Sequence, residues 1–229
     1  MFIEAIVQTP QEALRAEELG VDRIELVSGM KEGGLTPSYA TIKQVLNEIS
    51  IPVQIMIRPH SYHFSYDERD LETIYEDIRN VIHLGGKGIV FGALNQDKTI
   101  NMYALETIAG ISNELSITFH RAFDEVPSQE KAYYSIASSK NVRRILTSGG
   151  KADCMEGKEQ LRRLVALSDE IGGPKILPGG GLKVDNIKEI HRHVEADQYH
   201  FGSGLQVEGD FSKGLDREKV RIVKNNTKI

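Results

Sequence analysis

The chain has 229 residues, a formal net charge of −5 and 40% hydrophobic residues, which fits one barrel of about 250 residues better than two α/β domains. We therefore expect a single domain over residues 1–229. The negative charge gives no global attraction to nucleic acid or anionic membranes, and the apolar runs are too short to span a membrane. The single cysteine excludes an internal disulfide or a thiolate cage. We therefore expect a cytoplasmic protein.

Eight short apolar runs recur along the chain, and most end in charged or glycine-rich residues. In chain order they are IEAIVQ, RIELVSG, VQIMIRP, GIVFGAL, SITFHRAFD, RILTSGG, KILPGGG and QYHFGSG. Segments with helical spacing, such as EALRAEELG, lie between them. Strands that alternate with helices predict an α/β fold with parallel strands, and eight such units predict a (β/α)8 TIM barrel. Only LDREKVRIVKNN is left for the eighth helix, which we expect to be short or irregular.

Period-two alternation sorts the strand residues into two faces. Apolar side chains should face the helices and polar ones the barrel interior. The inward set is unusually polar, with Glu4, Glu25, Arg58, His120 and His200. For Glu4, near the closed end, we favour a structural ion pair. Glu25 and Arg58 lie nearer the open end, where either an ion-pair network or an acid/base group with an anion clamp is consistent with the pattern.

The densest group of candidate catalytic residues is TFHRAFD, at the end of the fifth strand. Active sites of such barrels lie at the carboxyl ends of the strands. His120 is expected to act as a general acid/base, with Asp124 a few residues later to orient its imidazole and Arg121 available for an anion. The alternative is a structural histidine.

Three glycine loops follow strands 6, 7 and 8. Glycines let backbone N–H groups converge on an anion, and barrels often bind phosphate at the last two of these positions. The predicted anion-binding residues are Ser148, Gly149, Gly150, Gly179, Gly180, Gly181, Gly202, Ser203 and Gly204. Tight turns are the alternative for all three loops. The segment EGGLTPS at 32–38 is read as a lid over the barrel mouth or as a simple connector.

Metal ligands are sparse, and we assign no metal site from the pattern. His60 and His63 in the third strand's loop could form half of a site, although surface loop histidines are common. Cys154 and Met155 are adjacent soft donors that make no site unaided.

The motifs together resemble the CutC family. The resemblance is carried by RIELVSGMKEGGLTPS, MIRP, GIVFGAL, TFHRAFD, ILTSGG and PGGG, which occur in that order over most of the chain. It implies a cytosolic TIM barrel, a homodimer, and a role in copper homeostasis with copper as the bound metal. The family often carries cysteines in its first two strands, where this chain has Ile6 and Val27. Because Cu(I) prefers sulfur ligands, direct binding at those positions is not expected here.

Two functional hypotheses follow. The first is copper handling, which the resemblance implies. The second is an isomerase or lyase acting on a small anionic metabolite, such as a phosphorylated one, at the barrel mouth. In the second, His120 and Glu25 transfer protons, Asp124 orients His120, and Arg58 with the glycine loops binds the anion.

Overall fold

The computed structural model describes residues 1–225 and shows eight parallel strands surrounded by eight helices. The strands are β1 (Phe2–Val7), β2 (Arg23–Leu26), β3 (Val53–Met56), β4 (Gly88–Phe91), β5 (Ser116–Phe119), β6 (Val142–Thr147), β7 (Lys175–Pro178) and β8 (Gln198–Phe201). The helices are α1 (Pro10–Glu18), α2 (Tyr39–Glu48), α3 (Glu68–His83), α4 (Met102–Ile111), α5 (Gln129–Ala137), α6 (Lys158–Ile171), α7 (Ile187–Val194) and α8 (Arg217–Asn225). The predicted (β/α)8 TIM barrel is confirmed.

The sheet closes on itself because β8 returns to lie beside β1. Each strand pairs with its neighbours in chain order, and β1 pairs with both β2 and β8. In this register Glu4 lies opposite His200. A single parallel bridge between Gly179 and His200 joins β7 to β8 and completes the ring. Closure thus places the first and last strands side by side, with Glu4 and His200 inside the barrel.

The two faces of the strands separate as the alternation predicts. Ile24 and Leu26 belong to the large apolar cluster between the sheet and the helices. Val27, on the other face, joins a small inner cluster with Met56 and Val90. The outer cluster supplies most of the buried apolar surface, whereas the polar groups of the interior are costly to bury unless they are paired.

Local sequence signals explain where helices begin. The Thr9 hydroxyl accepts a hydrogen bond from the Glu12 N–H at 3.2 Å, and Pro10 occupies the first helical turn of α1. At α3, Asp67 and Asp70 form a reciprocal capping box. Such caps satisfy backbone N–H groups that have no partner within the helix.

The irregular part of the last unit lies before α8 and not in it. Three short 3-10 turns occupy the segment between Ser203 and Lys213, and the nine-residue helix α8 follows. Among the described residues, no helix is long and apolar enough to cross a membrane.

Candidate functional site

A cavity of about 320 Å³ opens at the carboxyl ends of the strands. This size is at the lower end for small-molecule sites. Its polar lining includes three predicted catalytic residues together with a histidine from β8 and an arginine from the loop after β5. These are Glu25, Arg58, His120, Arg121 and His200. Apolar side chains cover much of the remaining wall, namely Ile6, Met30, Met56, Phe64, Leu146, Leu182 and Phe211.

Glu25 projects inward from β2 and is almost fully buried. Its Oε1 atom has no hydrogen-bond partner. Burial, reinforced by the nearby charge of Glu4, raises the pKa of Glu25 to about 7 in spite of the opposing effect of His200. A carboxyl group with this pKa both gives up and accepts a proton near neutral pH.

His200 connects Glu25 to a buried ion pair. Its Nδ1 lies 2.7 Å from Oε1 of Glu4, and its Nε2 lies 3.7 Å from Oε2 of Glu25. The other Glu4 oxygen accepts a hydrogen bond from Nε of Arg23. Burial by itself would raise the pKa of Glu4, but the Arg23 and His200 partners lower it to about 2. Glu4 is therefore a carboxylate at neutral pH, and the expected structural ion pair at this position is present.

Glu4, Glu25 and His200 also place one ligand-type atom each within 4.8 Å of one another. Both Glu4 oxygens already accept hydrogen bonds from a guanidinium or an imidazole. We therefore interpret these side chains as a cluster of acids and bases, in which Glu4 is hydrogen-bonded to His200 and Glu25 faces the other ring nitrogen at 3.7 Å. Sequence reasoning placed His200 inside the barrel but did not count it among the site residues; the signal was its inward position in QYHF.

His120 is held in one tautomer at the end of β5. The Ala122 N–H donates to its Nδ1 at 3.1 Å, so the proton of the neutral ring lies on Nε2. Burial, with help from the charge of Arg58, lowers the pKa of His120 to about 3, and Nε2 has no partner. His120 is thus a neutral hydrogen-bond donor, which differs from the acid/base role expected from the sequence.

Two neighbours shape the position of His120. Its ring packs against Phe64, with 4.8 Å between the ring centroids. A Cβ on Gly92 would lie 2.5 Å from Nδ1, so only glycine leaves room for the imidazole at this point of the fourth strand's loop. Sequence reasoning missed Gly92, although it is the second glycine of GIVFGAL.

Arg58 lines the cavity, but its guanidinium mainly holds the loop after β2. Nη1 donates to the carbonyls of Glu32, Gly33 and Gly34 at 3.2–3.4 Å. Nη2 donates to the Ser61 carbonyl at 3.3 Å. The Nε–H alone lacks a partner. Arg58 was expected to bind an anion. Most of its guanidinium donors instead bind backbone carbonyls and hold the loop at the mouth of the barrel.

Asp124 does not orient His120. Among the hydrogen bonds of the described residues, those of Asp124 come instead from a neighbouring arginine, from the end of β6 and the loop after it, and from the first residue of α5. The donors are Nε of Arg121, the N–H groups of Ser148 and Gly150, the hydroxyls of Thr147 and Ser148, and the amide of Gln129. The short 3-10 helix over 121–125 turns Asp124 away from the imidazole.

The first predicted glycine loop is therefore filled by the protein's own carboxylate. Ser148 and Gly150 N–H groups converge on an anion as expected, but that anion is Asp124. Gly149 and Gly150 line a separate groove with Asp124 and do not line the cavity. Gly179 is packed against Leu146 below the mouth, where a Cβ would clash. We therefore assign Ser148, Gly149, Gly150 and Gly179 to the support of the loops, and not to contacts with a ligand.

The remaining loop residues do line the cavity, together with Arg121. They are Gly180, Gly181, Gly202, Ser203 and Gly204. A Cβ on Gly180 would lie 3.3 Å from Nη1 of Arg121, which places this guanidinium against the β7 loop. Its Nε and Nη2 are held by Asp124 and Ser148, both at 2.8 Å. Arg121 thus brings a fixed positive charge to the glycine loops, where an anion would bind.

Among the described residues, Cys154, His60 and His63 belong to no group of three or more His, Cys, Asp or Glu ligands. Cys154 is fully buried, and burial raises the pKa of its thiol to about 12. Neither it nor Met155 lines the cavity. Oδ2 of Asp70 accepts a hydrogen bond from Nε2 of His60 at 3.1 Å, and the ring of His60 packs edge-on against His63. The contact with Asp70 and ring packing hold His60, and its buried Nδ1 has no hydrogen-bond partner among the described residues.

The family profile of CutC matches residues 1–204. The chain belongs to the CutC family. It is 36% identical over 199 residues to a human protein named copper homeostasis protein cutC homolog, covering 87% of this chain and 72% of the relative. It is 40% identical over 178 residues to the family protein CutC of Salmonella typhimurium, and the match covers 78% of this chain and 70% of the relative.

Solved structures agree with this membership. A copper homeostasis protein CutC from Streptococcus agalactiae superimposes with a TM-score of 0.81 at 29% identity, covering 88% of this chain and 98% of that one. Phosphoribosyl anthranilate isomerase from Thermococcus kodakaraensis gives a TM-score of 0.67 at 16% identity, covering 99% and 98%. The second likeness concerns the barrel fold alone.

The donor set of this CutC chain does not fit a thiolate copper site. Ile6 lines the cavity and Val27 belongs to the inner apolar cluster, so the first two strands supply no sulfur there. The single cysteine, Cys154, lies outside the cavity with its thiol protonated. Cu(I) selects thiolate and thioether ligands, and of these only the thioethers of Met30 and Met56 line the cavity.

Proposed function

We propose that this chain catalyses proton transfer on a small anionic carbonyl compound, as an isomerase. One observation carries the proposal: Glu25 and His120 line the same cavity, and each has a buried polar atom without a partner. Unpaired buried polar groups cost free energy, and such groups cluster where a ligand completes their hydrogen bonds.

The two side chains suit complementary roles. Glu25, with its pKa raised to about 7, removes a proton from the carbon next to the substrate carbonyl and returns it to the neighbouring carbon. The neutral His120 donates its Nε2–H to the carbonyl oxygen, where negative charge develops. A carboxylate base paired with a neutral imidazole donor is an established solution for such proton transfers.

The anionic group of the substrate is assigned to Arg121 and the loops after β7 and β8. Glycine at 180 and 181 and the segment 202–204 allow backbone to approach a phosphate or carboxylate closely. The ion pair with Asp124 keeps the guanidinium of Arg121 at this end of the cavity. A phosphorylated compound of a few carbons fits the cavity volume of about 320 Å³.

Within the wider class of isomerases and lyases, the lining favours isomerisation. Among the described residues, those that line the cavity include no lysine. Lyases that cleave carbon–carbon bonds through a Schiff base need a lysine amine. Proton shuttling between adjacent carbons needs only the base and the oxyanion donor already present.

The test is solvent deuterium incorporation into a panel of phosphorylated aldehydes and ketones, followed by proton NMR. We expect at least one compound to lose its α-proton signal with the wild type. Glu25→Gln should abolish the exchange, and His120→Gln should slow it by about 100-fold. Glu114→Gln, an exposed carboxyl outside the cavity, is the matched control and should behave as wild type. Exchange that persists in Glu25→Gln contradicts the assignment.

Copper handling is the second candidate, from the printed names of the relatives. Its structural support is the pair of thioethers, Met30 and Met56, on the cavity wall. Titration with Cu(I) against a competing chelator tests it, with Met30→Leu and Met56→Leu as variants of similar volume. Binding tighter than about micromolar that both variants weaken would favour copper over the isomerase.

A further inference from the structure

His200 lies between two carboxyl groups that differ in protonation. Toward β1, Nδ1 contacts Glu4 at 2.7 Å; toward β2 and the cavity, Nε2 faces Glu25 at 3.7 Å. Because Glu4 is an anion that only accepts hydrogen bonds, Nδ1 is the donor in the first contact. Nε2 is then the position at which the ring of His200 gains or loses a proton.

The charges around His200 are few and can be counted by strand. Glu4 on β1 is negative, Arg23 on β2 is positive, and these two are paired with each other. Glu25 on β2 faces the ring from the cavity side. On the β7 side the neighbour is Gly179, which brings no charge. Glu4 and Arg23 cancel, so the exchangeable proton of this cluster belongs to Glu25 and His200.

We propose that Glu25 and His200 share one proton, which moves between Oε2 of Glu25 and Nε2 of His200, and that Glu4 acts as the positioning residue for the imidazole. In this transfer the O–H bond of Glu25 breaks, the N–H bond of His200 forms, and the pair goes from neutral to zwitterionic. No other reactant is required. The use of this transfer in catalysis rests on the proposed function.

The position of the shared proton decides whether Glu25 can act as the base. With that proton on His200, Glu25 is a carboxylate that accepts a second proton from the substrate carbon and returns this second proton to the neighbouring carbon, while His200 stays protonated. With the shared proton on Glu25, the pair is neutral and Glu25 offers no carboxylate to the substrate. Burial of both partners supports the coupling, since it raises the pKa of Glu25 to about 7, and the adjacent carboxylates raise the pKa of His200 against the effect of burial.

The pair is tested by NMR titration of the wild-type protein labelled with ¹⁵N-histidine and ¹³Cδ-glutamate. His200→Gln and Glu25→Gln identify the two signals among the seven histidines and the glutamates. We expect the ring of His200 and the carboxyl of Glu25 to titrate at the same two pH values, as coupled groups do. Separate single-step titrations of the two groups would overturn the proposal.

The variants sharpen the test. In Glu25→Gln, His200 should titrate in one step, with its midpoint lowered by about one pH unit or more because the facing carboxylate is gone. Glu4→Gln should remove the preference for Nδ1–H. Asp70→Asn is the matched control, since Asp70 contacts His60 at 3.1 Å and its replacement should leave the titration of His200 unchanged. An unchanged His200 midpoint in Glu25→Gln also overturns the proposal.

These outcomes separate the pair from the proposed function. Shared titration without deuterium exchange on any compound of the panel would keep the proton pair and refute the isomerase. Exchange that depends on Glu25, with independent titrations of Glu25 and His200, would keep the isomerase and refute the shared proton.

Discussion

Asp124 holds Arg121 against the barrel mouth through an ion pair of 2.8 Å between Oδ2 and Nε. The same carboxylate accepts hydrogen bonds from the backbone N–H groups of Ser148 and Gly150. One side chain therefore fixes the loop after β6 and aims a guanidinium at the loops after β7 and β8. This arrangement explains why an aspartate follows His120 so closely without contacting it.

Replacing this carboxylate should destabilise the fold. In Asp124→Asn one of the two carboxylate oxygens becomes an NH₂ group, which cannot accept hydrogen bonds. Several of the N–H and O–H donors that now bind Asp124 would then be buried without a partner. We expect the free energy of unfolding to fall by about 2–4 kcal/mol, measured by urea denaturation. Glu125→Gln is the control: its contact is an exposed ion pair with Lys98 at 3.4 Å, and its loss should change stability by less than about 0.5 kcal/mol. Equal effects of both substitutions would contradict this role of Asp124.

Arg58 should control the mobility of the mouth loop. Its guanidinium donates to the carbonyls of Glu32, Gly33 and Gly34, and a lysine has neither the planar fork nor the reach to replace these contacts. In Arg58→Lys, amide hydrogen exchange over 32–34 should accelerate by about tenfold or more. Arg79→Lys, on the exposed face of α3, should leave that exchange unchanged. Equal protection in both variants would show that the loop is held by other contacts.

His120 should make stability depend on acid pH. Its pKa is about 3 in the folded chain and 6.5 as the reference value, so the unfolded state binds more protons between these values. The wild type should lose stability as pH falls below 6.5, whereas His120→Asn should lack this contribution. Between about pH 7 and about pH 4.5, the unfolding free energy of the wild type should fall by roughly 2–3 kcal/mol more than that of His120→Asn. His83→Asn, which replaces an exposed histidine on α3, is the control substitution.

Two glycines should respond to alanine in opposite directions. Gly181 has φ of +69°, and a Cβ there would lie 2.7 Å from Cβ of Asp153. Gly181→Ala should lower the free energy of unfolding by about 1–3 kcal/mol. Gly110 lies in α4, where an added Cβ meets nothing within 4 Å, so Gly110→Ala should raise stability by about 0.5–1 kcal/mol. Urea midpoints of both variants check the prediction, and a stabilising Gly181→Ala would contradict it.

The sequence predicted more of the fold than of the site. Strand order, helix caps and the inward positions of Glu25 and His120 follow from short patterns, because alternation and capping depend on neighbouring residues. The expected contact between Asp124 and His120 was wrong, since a 3-10 turn of five residues separates their directions. Arg58 was assigned to a ligand, but three backbone carbonyls occupy much of its guanidinium.

Taken by itself, the sequence determined the barrel, its polar interior and the end at which a site lies, since these depend on periodicities of two and 3.6 residues and on chain order. Only the tertiary structure decided which polar groups meet. Glu4 and His200 are 196 positions apart, and closure of the sheet between β8 and β1 places them 2.7 Å from each other. Such pairing depends on strand register around the whole ring, which no local pattern encodes.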